Sequence, residues 1–141
     1  MTDATETLTI DAFIEARLRE DEETARAAGG ERWAYDGDDT LSPSSGEVYY
    51  PDAPRREISG NFHTVTRGNE EGTMPGVQPE NGRHIARHDP ARVLRQCAAL
   101  RAIMRVNVDV ADSDSGASIQ IAEAIASIWS SHPDFRAEWS A

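Results

Sequence analysis

Apolar residues recur at spacings of three and four through the first part of the chain: Ile10, Phe13, Ile14, Leu18 and Ala25. That period places them on one stripe of a helix, and the pattern predicts a helix over residues 9–28 that stops at Gly29 and Gly30. From 31 to 82 the character changes. Gly, Pro, Ser, Asn and Asp punctuate the short stretches "RWAYD", "EVYYP" and "NFHTVT", whose aromatic and β-branched residues predict two or three short strands. The intervening "DGDDTLSPSSG" and "RGNEEGTMPGVQPENG" read as loops. A second helix is predicted over 90–106, with Val93, Cys97, Leu100 and Met104 in one narrow stripe at 100° per residue. A third is predicted over 117–131, carrying Ile121, Ala124, Ile125, Ile128 and Trp129, and the tail "HPDFRAEWSA" adds a short turn anchored by Phe135 and Trp139. No internal repeat is present. The expected fold is a single α+β domain over 1–141: an N-terminal helix, a small antiparallel sheet of two or three short strands, and two or three C-terminal helices.

Charge alters this picture in two ways. The formal net charge is −11, and all 14 basic residues are arginine. A chain this acidic repels phosphate backbones, so direct nucleic-acid binding is not expected. The charge is also unevenly placed. The first helix carries Asp11, Glu15, Glu20, Asp21, Glu22 and Glu23, whereas the second carries Arg92, Arg95, Arg101 and Arg105 with no acidic residue between 90 and 106. The two helices are therefore expected to pack through their apolar stripes and to pair charges at the rim.

The single cysteine, Cys97, excludes an intrachain disulfide and a thiolate-rich zinc site, and its place on the apolar stripe makes it a small core residue. No apolar run approaches the ~20 residues needed to cross a bilayer, and "MTDATETLTI" has none of the features of a signal peptide. The expected setting is cytoplasmic, without membrane partners.

The sharpest chemical candidate is "GRHIARHDPARVLRQ", residues 82–96. Histidines at i and i+4 on a continuous helix can reach one metal ion, so His84, His88 and Asp89 are candidate ligands, joined by His63 or His132 if folding brings them near. Pro90 argues for the other reading, because the residue before a proline is pushed out of the α region. Asp89 as N-cap with Pro90 at the first helical position is a helix start, which leaves His84 and His88 in strand or turn on its approach. The helix-start reading is preferred, and no cofactor is assigned.

A weaker candidate is "DSDSGASIQIAE", which supplies Asp112, Asp114 and Glu123 at positions of a calcium loop but puts Gly116 where a ligand belongs. A polar turn before an N-capped helix fits it better. No nucleophile elbow, phosphate loop or dinucleotide fingerprint is present, so no catalytic residue is assigned. Trp33, Tyr35, Tyr49, Tyr50 and Phe62 are expected to form the core of the small sheet, with a binding surface as the alternative.

"FIEARLREDEETARAA", "HIARHDPARVLRQCAALRAIM" and "SSHPDFRAEW" resemble a family of small actinobacterial and actinophage proteins with a domain of unknown function. The resemblance rests on the acidic stretch at Glu20, Asp21 and Glu22, on His84 to Leu94, and on His132 to Trp139. It covers about half the chain, on both sides of a variable middle. Many such proteins carry a cysteine-containing insert before the terminal segment. Here "VNVDVADSDSGASIQ" stands there without a cysteine, which removes any thiolate metal role. The resemblance implies a fold outline and an actinobacterial or phage origin, and no activity.

Three functions follow as expectations. The first is a non-enzymatic accessory or regulatory protein of phage or prophage type that binds another protein. The second is a metal-dependent enzyme using His84, His88 and Asp89, and the third an acidic DNA mimic that occupies a host protein's nucleic-acid site. The sequence leaves homo-oligomerisation open.

Overall fold

The structure, a computed structural model, describes residues 7–37, 46–52, 65–66 and 77–140. Among these residues there are four helices and a two-stranded antiparallel sheet, an α+β fold as expected. The helices are α1 (Ile10–Ala27), α2 (Pro79–Arg87), α3 (Pro90–Ser113) and α4 (Ser115–Ala126), followed by single 3₁₀ turns at Ser127–Trp129 and Ala137–Trp139. The strands are β1 (Ala34–Tyr35) and β2 (Val48–Tyr49). Two compact units divide the chain, residues 1–23 with 95–141, and residues 24–94. No helix among the described residues is long and apolar enough to cross a membrane.

In the first unit, the Thr9 hydroxyl accepts the Ala12 N–H at 3.1 Å, which caps α1, and Asp11 sits in the first turn where the helix dipole favours a negative charge. The centre of the predicted stripe is buried: Phe13, Ile14 and Leu18 are almost fully removed from solvent, together with Cys97, Ala122, Ile125, Ala126 and Trp139, while Ile10 at its start is half-buried. Burying a side chain of the size of Phe, Ile or Leu stabilises by about 1.5–3 kcal/mol, so this stripe outweighs the surface ion pairs around it.

α3 runs to Ser113, seven residues beyond the stretch expected from its apolar period. Asn107 explains part of the extension. It is buried on α3, its side-chain amide donates to the Ser118 carbonyl oxygen at 3.1 Å, and the Ser118 hydroxyl donates back to the Asn107 carbonyl oxygen at 3.3 Å. A polar residue just past the expected end of the helix thus makes a tertiary contact between α3 and α4. α4 begins at Ser115, two residues earlier than expected, and gives way to a 3₁₀ turn after Ala126.

In the second unit, Gly29 (φ 103°) and Gly30 (φ 66°) end α1 in a conformation that side chains with a Cβ rarely adopt, and the Gly30 N–H returns to the Ala25 carbonyl at 2.9 Å. β1 and β2 pair Ala34 with Tyr49 and Tyr35 with Val48. The third stretch read as a strand, "NFHTVT", lies partly outside the described residues. Its Val65 and Thr66 form a bend, with the Val65 N–H donating to the Val48 carbonyl at 2.7 Å and the Thr66 hydroxyl accepting the Val48 N–H at 3.0 Å.

α2 corrects the sequence reading. Residues 79–82 were expected in a loop and His84 and His88 in strand or turn, yet Pro79–Arg87 is helical, with Pro79 at the N-terminus and His88 as C-cap. The segment "PENGRHIAR" contains Asn81 and Gly82, both poor helix formers, and few apolar residues to reveal a stripe. It is held instead by packing on β1 and β2. The Tyr35 ring lies so close to Gly37, Gly46 and Gly82 that a Cβ at any of these positions would overlap it. Of the aromatic residues expected at the sheet, Tyr35 fills this cradle and the Trp33 and Tyr50 rings meet edge to face at 6.5 Å, while Phe62 lies outside the described residues.

Candidate functional site

Residues 84–92 place two structural events side by side. α2 closes at Arg87 and α3 opens at Pro90, so the two helices are separated only by His88 and Asp89. Asp89 is 6% exposed. Its Oδ1 accepts the Arg92 N–H, three residues on, at 2.7 Å, and its Oδ2 accepts the Trp33 N–H at 3.1 Å. Both carboxylate oxygens are therefore engaged by backbone donors. Because α2 is a helix, His84 and His88 share a face: their ring centroids are 4.3 Å apart, and His88 Nδ1 lies 2.9 Å from the His84 carbonyl oxygen. That hydrogen bond uses one nitrogen of His88, a residue that is otherwise exposed.

His132 lies in the other unit. Its ring packs edge-on against Phe13 at 5.8 Å, accepts the Asp134 N–H on Nδ1 at 3.0 Å, and meets the Arg17 guanidinium. Arg17 is 7% exposed, pairs with Glu20 at 2.9 Å and lies over the Phe13 ring at 5.3 Å. Phe135 and Trp139 complete the cluster around Phe13, at 5.9 and 5.0 Å, and the Trp129 indole N–H donates to Asp21 at 3.0 Å. The histidine of the "HPDF" segment thus helps to anchor the C-terminal segment on α1.

His63 lies outside the described residues. Among those described, no three His, Cys, Asp or Glu side chains are grouped so as to hold a metal ion. The "DSDSGASIQIAE" segment is a helix start: Asp114 accepts the Ala117 N–H at 3.0 Å and caps α4, which puts Glu123 in the body of that helix.

One surface feature among the described residues has the shape of a binding site and has no counterpart in the sequence reading. An open groove of about 230 Å³ runs between α1 and α3. Ile14, Leu18, Met104 and Val108 form its apolar wall, and Asp11, Glu15, Arg101 and Arg105 its charged rim. Arg101 spans the helices: it binds Glu15 at 3.1–3.2 Å through two nitrogens and also pairs with Glu22. The hydrogen bond to Glu15 is the chief reason its pKa is raised, burial opposes that rise, and Glu22 adds to it. The signal for this arrangement was the uneven charge of the two helices. The groove itself was invisible because Val108 lies beyond the expected end of the second helix. Its apolar wall suits the groove to holding an apolar group, with the charged rim around it.

Neither a curated protein nor a solved structure matches the chain. A family model described as a family of unknown function, DUF6221, matches residues 7–141. The chain, from the start of α1 through the anchored C-terminal segment, therefore belongs to the DUF6221 family.

Proposed function

We propose that this is a non-enzymatic accessory protein that acts in the cytoplasm by binding another protein through the groove between α1 and α3. The observation that carries the reading is Val108, an apolar residue 65% exposed at the wall of an open groove whose rim is charged. A net charge of −11 favours a partner with a basic surface, so the expected ligand is a segment that inserts an apolar side chain between flanking arginines or lysines. The resemblance to actinobacterial and actinophage proteins supports a phage or prophage setting.

A second reading, an acidic DNA mimic, is favoured by the exposed carboxylates of α1, among them Asp11, Glu20 and Glu23. The metal-dependent enzyme is the weakest of the three, since it needs a further ligand beside His84 and His88 while both oxygens of Asp89 are taken.

Affinity capture from host lysate, with Val108→Asp in parallel, tests the proposal. Val108→Asp should lose a protein that the wild type retains, and competing duplex DNA should leave that protein bound. Displacement by DNA promotes the mimic. Capture that is identical with Val108→Asp sinks the groove reading.

A further inference from the structure

α3 carries a second apolar stripe that its core contacts do not use. Ala99, Ile103, Val106 and Val110 recur at spacings of four, three and four, away from the stripe formed by Cys97, Leu100 and Met104. Ile103 and Val106 are 47% and 62% exposed, Ala99 is exposed, and Val110 is half-buried. One flank of the stripe is formed by Arg95, Ala102 and Asp109, all exposed and separated by seven residues each. Among the described residues neither Arg95 nor Asp109 is in an ion pair.

We propose that α3 pairs with α3 of a second copy in antiparallel orientation, about a two-fold axis at Ala102. Arg95 and Asp109 each lie about 10 Å from Ala102 along the helix, on opposite sides. A two-fold axis there sets Arg95 of each chain against Asp109 of the partner subunit, which makes two equivalent ion pairs. Ile103, Val106 and Ala99 then close over one another between them. Parallel pairing would place arginine beside arginine and aspartate beside aspartate. The charge pattern is thus complementary to its own reversed copy, and this selects a second copy as the occupant over an unrelated helix. Alanines at 99 and 102 allow the two backbones to approach closely. The surface is separate from the groove at Val108, so the inference stands independently of the proposed function.

A single helix pair is at the small end of interface sizes, so the dimer is expected to dissociate in the micromolar range. Sedimentation velocity over roughly 1 to 500 μM in ~0.15 M salt, where long-range repulsion between the acidic chains is screened, should show a monomer–dimer equilibrium. Ile103→Asp combined with Val106→Asp should abolish it. Arg95→Glu and Asp109→Arg should each weaken it about tenfold, since each change turns two attractive pairs repulsive, and the double variant should restore it. Asp109→Arg makes the chain less acidic, so if only net repulsion mattered it would strengthen association. A chain that remains monomeric throughout, an Asp109→Arg variant that associates more tightly, or a double variant that fails to recover would each overturn the proposal. All four positions are exposed or nearly so, and circular dichroism of each variant should match the wild type.

Discussion

The backbone N–H of Trp33 donates to Oδ2 of Asp89 at 3.1 Å, across 56 residues of sequence, while Oδ1 of the same carboxylate takes the Arg92 N–H at 2.7 Å. One buried side chain therefore caps α3 and ties down the segment that follows α1. Its substitutions should rank differently from those of a simple cap. Asp89→Ala loses the cap, about 1 kcal/mol, and orphans a second backbone donor, for a total of roughly 2–4 kcal/mol. Asp89→Ser keeps the cap and loses the Trp33 contact. Asp89→Asn can accept with only one atom and turns an N–H₂ group towards the other donor, so it should cost at least as much as serine. Urea unfolding of the three variants checks the order, and asparagine equal to wild type would refute the two-donor arrangement.

Among the described residues no third ligand joins the His84–His88 pair, and the prediction is metal independence. EDTA should leave the melting temperature unchanged, and His84→Ala with His88→Ala should have little effect on stability, since both side chains are exposed. A drop in melting temperature with chelator that vanishes in the double histidine variant would reinstate the metal centre.

Gly82 should behave oppositely to an ordinary helical glycine. Replacing a mid-helix glycine by alanine normally stabilises by about 1 kcal/mol. Here a Cβ would overlap the Tyr35 ring, so Gly82→Ala should destabilise by roughly 1–3 kcal/mol through overpacking. Combining it with Tyr35→Leu should recover part of the loss, a coupling that a double-mutant cycle measures directly.

The aromatic cluster on Phe13 makes the last residues structural. Trp139 is 8% exposed and 5.0 Å from Phe13 between ring centroids. Trp139→Ala should cost about 3–5 kcal/mol, as for other buried large aromatics. Thermal unfolding of this variant, or of a chain ending at Pro133, should show a lowered midpoint.

Acid unfolding should carry the signature of Arg32 and Asp52. The guanidinium donates to both carboxylate oxygens, at 3.1 and 3.3 Å, and this hydrogen bonding holds the Asp52 pKa below its usual value. A depressed folded-state pKa contributes stability above the unfolded value of about 3.9, and that contribution fades as pH falls through the lower folded value. Wild type should therefore exceed Asp52→Asn slightly at pH 6, and the difference should shrink as pH falls below the unfolded value of about 3.9 and through the lower folded value. The pair is fully exposed, so high salt should also erase the difference. A gap that does not shrink as pH falls below about 3.9 would contradict this assignment.

What the sequence determined by itself is what neighbouring residues decide together. The stripe of Phe13, Ile14 and Leu18, the glycine stop after α1 and the polar start of α4 all depend on contacts or dihedrals within a few positions, and the α+β class follows from them. Tertiary structure decided the rest. α2 is a weak helix by propensity, and it forms where Gly82 lets the Tyr35 ring press against its backbone. α3 outlasts its apolar period because Asn107 finds Ser118. The second oxygen of Asp89 is assigned only when Trp33 arrives from 56 residues away. Each of these depends on a partner distant in sequence, and a local pattern of polar and apolar positions holds no record of which distant backbone donor or ring will fill the space beside it.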